Sequence, residues 1–165
     1  MDPLQSVAIR RATVVDAPEL KRVESSSQIA VVSSWQPATD WGLRLTEPGT
    51  FTYLCEDRSP FGFVTSADPV EEYFRDGETG EILGLCLHPD YWGSGYGKKL
   101  LVHGISVLKR RGFEQAIMWI PDFAEHAVAL SESLQFKQIE GTRVSNHEQA
   151  DLTENCYRLD LTGYF

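Results

Sequence analysis

Apolar and polar positions along the chain change period several times, and each change marks an element. Residues 7–11 form a short β-rich run that predicts a first strand. Thr13, with Asp16 three positions later, has the form of a capping box and predicts a helix running through Leu20 and Val23. Between 25 and 50 the pattern weakens into serine runs with Trp35, Pro37, Trp41 and Pro48. Short helices or loops are expected there, and an aromatic-bearing stretch of that kind suits the covering of a substrate site. Two β-rich runs, 51–56 and 61–65, flank Asp57, Arg58, Ser59 and Pro60 and predict a hairpin. A charged, turn-rich stretch over 67–80 leads into a strand over 81–87 and then a helix over 97–110, stopped by Gly112.

In that helix Leu100, Leu101, Gly104, Ile105 and Leu108 make one apolar stripe, while Lys99, Ser106, Lys109 and Arg110 are polar. The helix therefore lays one face on a sheet, and Lys109, Arg110 and Arg111 complement the negative end of its dipole. Beyond it, 115–120 reads as a strand with Met118 and Trp119 in the core, 125–134 as a helix, 136–144 as a strand, and 156–161 as an alternating final strand. Strands and helices mix, with several strands adjacent in sequence. The class is a mixed sheet flanked by helices, α/β or α+β, built as one domain over 1–165.

Composition narrows the partners. With 165 residues, 42% of them hydrophobic, the chain can bury one core and is too short for two ordinary domains. No apolar run approaches the roughly 18 to 20 residues of a membrane span, and residues 1–11 lack a signal peptide's apolar block. A soluble, cytoplasmic protein with no membrane partner is expected. Cys55, Cys86 and Cys156 are odd in number and far apart, which suits reduced core thiols. His88, His103, His126 and His147 show no paired ligand spacing, so no metal is predicted. The formal net charge of −9 argues against a nucleic-acid partner, since phosphate backbones are held mainly by Lys and Arg, and it complements an amine-bearing substrate.

The informative stretch is 81–97, EILGLCLHPDYWGSGYG: a buried-looking strand, a proline, three glycines at alternate positions, then a helix. Glycines let a backbone approach a ligand, and the first N–H groups of a helix are unpaired donors at its positive end, so an anion such as a pyrophosphate fits. Lys98 and Lys99 oppose the dipole unless an anion lies nearby. A glycine-rich turn with solvated lysines is the other reading of the same residues. Gly93, Gly95 and Gly97 give G-x-G-x-G and not the dinucleotide fingerprint G-x-G-x-x-G.

The stretch LHPDYWGSGYGKKLL resembles the acetyl-CoA motif of the GNAT superfamily of N-acetyltransferases, with Trp92, Gly95 and Gly97 at its Arg/Gln, Gly and Gly positions. VAIRRATVVDAPEL is similar to that family's opening strand and helix, SESLQFKQIEG to its tail helix and sixth strand, and YRLDL to its closing strand. The resemblance implies the GNAT acyl-CoA N-acyltransferase fold, a mostly antiparallel central sheet flanked by helices. It implies acetyl-CoA as co-substrate, with Leu85, Cys86 and Leu87 lining the pantetheine arm. Trp92, Gly93, Ser94, Gly95, Tyr96, Gly97 and Lys98 would wrap the pyrophosphate, and the Leu87 N–H is the candidate oxyanion donor. Glu81 falls where histone-acetylating members place a catalytic glutamate; its plainer reading is a solvated carboxylate at a strand end.

A base is useful, because an alkylammonium of pKa near 10.4 is only about 0.04% deprotonated at pH 7. The family's helical Asn, Tyr and Gly-Phe positions hold Glu125, Ser131, Gln135 and Phe136, so the usual tyrosine acid is missing. Ser131 is then the catalytic candidate at that position, orienting a water, or it is a plain helix residue. The expected reaction is direct attack of a primary amine, a small molecule or a protein N-terminus, on acetyl-CoA. A non-catalytic acyl-CoA-binding or regulatory module is the alternative. Neither the acceptor nor the oligomeric state has a readable motif, and a dimer is compatible with the sequence.

Overall fold

The computed structural model describes residues 7–31, 39–147 and 150–164; the expectations resting on Trp35 and Pro37 lie outside them. In chain order the elements are β1 (Ala8–Arg11), α1 (Ala17–Val31), α2 (Trp41–Thr46), β2 (Thr50–Glu56), β3 (Pro60–Ala67), β4 (Thr79–Leu87), α3 (Tyr96–Arg110), β5 (Gln115–Pro121), α4 (Glu125–Ser133), β6 (Lys137–His147) and β7 (Ala150–Asp160). The strands form one sheet in the order β1-β2-β3-β4-β5-β7-β6. Every pairing is antiparallel except β4 with β5, which are joined through α3. This is the mostly antiparallel sheet with flanking helices that the resemblance implied.

The predicted capping box is present, with the Asp16 carboxylate accepting the Thr13 N–H at 2.8 Å. Asp16 also takes the Arg10 guanidinium, which reaches on to Glu56, so the start of α1 is tied to β1 and β2. That pairing holds the Asp16 carboxyl below its ordinary range. Here α1 runs beyond the predicted Val23, through the serine run to Val31.

Two apolar clusters sit on opposite faces of the sheet. The larger lies under α3 and includes Val64, Ile82, Leu100, Leu101, Ile105, Leu108, Met118 and Tyr157. The smaller lies under α1 and α2 and joins Leu20, Val23, Trp41, Leu54 and Phe63, with Cys86 packed against it. Gly104 lets α3 sit close on β3: a Cβ there would come within 2.8 Å of Val64 Cγ2, and Ser66 Oγ donates to the Gly104 carbonyl at 2.9 Å. At the far end of α3 Lys109 donates to the Leu161 carbonyl, the charge placement expected of a helix C-terminus. Cys55 and Cys156 are buried and Cys86 is partly buried; burial pushes the Cys55 and Cys156 thiols up to about 12.

Candidate functional site

A break in the sheet organises the site. The parallel ladder of β4 with β5 covers only Thr79, Gly80 and Glu81 opposite Gln115, Ala116 and Ile117, although the two strands continue to Leu87 and Pro121. Past Glu81 they splay apart. Leu83 is the cause on the β4 side: in the register with β3, Thr65 faces Gly84 and Ser66 faces Ile82, so Leu83 is an extra, bulged residue that bends the strand. The wedge is lined by β4 backbone with no strand to pair it.

Strand geometry says which groups line the wedge. His88 N–H donates to the Phe61 carbonyl at 2.7 Å, so that residue's amide points toward β3. By alternation the N–H and C=O of Leu85 and Leu87 point the other way, into the wedge. The Leu87 carbonyl there accepts the Trp92 indole N–H at 2.8 Å, which leaves the Leu87 N–H, with that of Leu85, as a donor on that edge. Leu85 therefore shares one side of β4 with the candidate oxyanion donor at Leu87, whereas Cys86, also expected to line the pantetheine arm, turns its backbone groups to β3, with Phe63 opposite, and does not face the wedge.

The glycine loop closes the wide end. Pro89–Tyr91 form a turn of 3-10 helix, and Gly93 and Gly95 then take positive φ values of 80° and 89°, a conformation that suits glycine. No atom lies within 4 Å of a Cβ built on either, so packing does not require glycine at these two places. Alternating left-handed residues turn successive amides to one side, the concavity that binds anions. Gly95 caps α3 and its carbonyl takes the Lys99 N–H at 3.2 Å, which leaves the first-turn amides of Gly97 and Lys98 facing out of the helix end. Tyr96 contributes only its backbone: its ring is 5% exposed and packs edge-on to Phe61 at 5.3 Å. Trp92, by contrast, is exposed and folds back over the end of β4. An anionic, extended cofactor fits this arrangement of open amides and unpaired strand edge.

Glu81 stands at the apex of the wedge and is 1% exposed. Among the described residues its hydrogen-bond donor is the Val70 N–H at 3.4 Å, from the segment between β3 and β4. Around it lie Arg143 of β6, Glu154 and Cys156 of β7, and Glu71. Burial pushes the Glu81 carboxyl up to about 7; the Val70 amide and Arg143 pull it down, and Glu71 and Glu154 raise it further. Arg143 bridges Glu154 and Glu71, each at 3.1 Å, with its guanidinium 4.5 Å above the Trp119 ring. Trp119 is thus a half-buried platform, where a core residue was expected, while Met118 is buried.

Ser131 is fully buried on α4 and its hydroxyl donates to the Val128 carbonyl at 2.8 Å. Its one proton is held by its own helix. The residues that sequence reasoning missed are Val70, Glu71 and Arg143, which meet Glu81 only through tertiary packing, and Arg44 of α2, whose Nη1 lies 3.8 Å from the Cβ position of Gly84. Among the described residues no group of three His, Cys, Asp or Glu side chains is placed to hold a metal ion, and no helix is long and apolar enough to cross a membrane.

Comparison with known proteins agrees with this geometry. The model of the Acetyltransferase (GNAT) family matches residues 17–136. Mycothiol acetyltransferases from Thermobispora bispora and Saccharomonospora viridis are each 34% identical over 61 residues, 37% of this chain. The match spans about a fifth of those relatives, 21% and 20% of their lengths. An acetyltransferase from Salmonella typhimurium, solved with its cofactor acetyl-CoA, superposes with a TM-score of 0.76 at 20% identity over 96% of both chains. A ribosomal-protein-alanine N-acetyltransferase from Brucella melitensis gives 0.76 at 21% identity over 93% of this chain and 99% of that one.

Proposed function

The chain belongs to the GNAT acetyltransferase family, and from that premise we propose that it transfers an acetyl group from acetyl-CoA to a primary amine by direct attack within a ternary complex. The observation that carries the reading is the wedge past Glu81, with unpaired strand groups along one side and an open glycine-lined helix N-terminus at its mouth. When bound, acetyl-CoA supplies an activated thioester, whose C–S bond breaks as the amide C–N bond forms.

The chain's own residues do the rest. The backbone groups of Leu85 and Leu87 hold the pantetheine arm along the open edge of β4, and the amides of residues 92–98 hold the pyrophosphate, assisted by the helix dipole. The Leu87 N–H stabilises negative charge growing on the carbonyl oxygen. Glu81 accepts the proton of the attacking nitrogen, whose acidity rises as the C–N bond forms; a carboxyl held near 7 is half ionised at neutral pH. Ser131 has its proton committed to Val128, so the sulfur departs as thiolate and takes its proton from solvent, as a thiol of pKa about 8.5 permits. A small-molecule amine or a protein N-terminus serves as acceptor, and a cytoplasmic location goes with this chemistry.

Gly97→Glu tests the loop. Gly97 has ordinary helical φ, and the nearest atom to its Cβ position is Leu130 Cδ2 at 3.9 Å, so the side chain fits; its carboxylate sits well on the helix dipole while taking the place of a phosphate. Titration calorimetry should find acetyl-CoA bound by wild type and lost from a folded Gly97→Glu protein. Wild type that ignores coenzyme A at millimolar concentration would overturn the assignment. Free-thiol release with an amine panel separates an enzyme from a module that only binds acyl-CoA.

A further inference from the structure

The two faces of β4 do different things. Ile82, Leu85 and Leu87 turn toward the cluster under α3, while Glu81, Gly84 and Cys86 turn toward the face of α1 and α2. On that second face Gly84 leaves bare backbone, and a Cβ there would meet Phe63 at 3.6 Å and Arg44 Nη1 at 3.8 Å. A guanidinium therefore hangs over the β4 backbone one residue beyond the bulge. Glu81 lies three positions back on the same face, about 10 Å along an extended strand.

The Arg44 guanidinium has no hydrogen bond or ion pair among the described residues, although the residue's backbone N–H donates to the Asp40 carbonyl at 2.9 Å. Arg10, Arg22, Arg111 and Arg143 all meet carboxylates within 4.0 Å. Burial lowers the guanidinium's affinity for its proton, and the Glu24 and Glu47 carboxylates act on it only at a distance. Glu24, the buried carboxylate among them, is occupied by the Thr39 N–H at 3.1 Å and the Thr39 hydroxyl at 2.5 Å. What holds Arg44 is packing: its guanidinium lies 5.4 Å from the ring of Trp41, which is 3% exposed and wedged edge-on against Phe63 at 4.7 Å. A partly desolvated cation kept in place with no counter-ion among the described residues gains when an anion arrives, and the guanidinium fork matches a carboxylate bidentately.

We propose that Arg44 is the acceptor site's anion-recognition residue, so that the acceptor is a primary amine carrying a carboxylate, of amino-acid type, and not a plain alkylamine. The proposal rests on the reading of β4 as the transfer site. A guanidinium over Gly84 and a carboxylate at Glu81, on one face of one strand, form a pair of opposite charges against which such a zwitterion orients, its amine toward the wedge and its carboxylate toward α2.

The test uses the full chain saturated with acetyl-CoA and matched pairs of acceptors: L-phenylalanine with phenethylamine, L-tryptophan with tryptamine, and L-methionine with 3-(methylthio)propylamine. At least one amino acid should exceed its amine partner about tenfold or more in kcat/KM. Arg44→Gln should raise KM for that amino acid by about tenfold to a hundredfold while acetyl-CoA affinity holds and the amine partner is unaffected; Arg44→Lys should recover part of the loss. Amines equal to or better than amino acids in every pair, or a KM that Arg44→Gln leaves alone, overturns the proposal. If nothing is acetylated by protein that binds acetyl-CoA, it is the transfer reading that fails. Arg44 is then judged by calorimetry with the N-acetyl derivatives of the three amino acids. Binding by wild type and Arg44→Lys that Arg44→Gln loses supports it, and no binding by wild type overturns it.

Discussion

Burial of Glu81 sets its stability and its chemistry in opposite directions. Its carboxyl is raised from 4.5 to about 7, so the folded protein holds the proton more tightly than the unfolded chain. The protonated side chain's contribution is fully present below about 4.5 and is lost as pH rises through about 7, a loss on the order of 3 kcal/mol at most. Glu81→Gln should then match wild type in denaturant unfolding at pH 4 and exceed it by up to about 3 kcal/mol at pH 8, while turnover at pH 7 falls by about 10² to 10⁴ with acetyl-CoA affinity unchanged. A rate within about threefold of wild type, where chemistry limits turnover, would remove Glu81 as the base. Gln135 shows strain of another kind. The Gln135 N–H bonds the Glu132 carbonyl and the Phe136 N–H bonds the Ser131 carbonyl, a paired ending of α4 that puts Gln135 at φ 75°, in the left-handed region that favours glycine. Gln135→Gly should stabilise the protein by about 1 kcal/mol in denaturant unfolding, since a side chain is unfavourable at that φ by more than glycine's extra freedom removes.

At the scale of elements, α3 and its glycines separate packing from ligand binding. Gly104→Ala drives a methyl into Val64 and Ile82, at 2.8 and 3.2 Å, and should destabilise by about 1 to 2 kcal/mol despite alanine's better helix propensity. Thermal unfolding checks this, and a Gly104→Ala protein as stable as wild type would mean that α3 can lift off β3 at no cost. The amphipathic stripe of α3, the 51–56 and 61–65 hairpin and the Thr13–Asp16 cap were legible in the sequence because each is a local pattern. The length of α1 was not: serines are weak helix formers, yet the helix runs past Val23 to Val31. The strands at the C-terminal end also run longer than their apolar cores, β6 to His147 and β7 from Ala150, because they pair with each other. For the site, spacing alone left the glycine loop open between an anion site and a plain turn, and the resemblance to the GNAT motif singled it out. The bulge at Leu83, the Val70 and Arg143 contacts to Glu81 and the place of Arg44 over Gly84 arise from register and packing between distant segments, which leave no periodic trace.

For the whole molecule, the break between β4 and β5 divides the sheet into a β1–β4 half and a β5–β7–β6 half. They are held together by three residue pairs of parallel ladder and by α3, which packs on β3, β4 and β5. A ligand lying in the wedge touches both halves, so its binding energy acts against the opening that separates them. At a coenzyme A concentration about 100 times Kd the native state gains about 2.7 kcal/mol. For a domain of this size that corresponds to a rise in Tm of about 5 to 10 °C. The rise alone would follow from binding anywhere, so its distribution is the sharper test. Hydrogen exchange with and without coenzyme A should show the largest added protection at the amides of Leu85, Leu87, Gly97 and Lys98, and at the junction amides of Ile82 and Ile117. The β1–β2 pair should change least, since it lies at the far edge of the sheet. Protection spread evenly over all seven strands would mean that the halves open only on global unfolding and that the wedge is as rigid as the rest of the sheet.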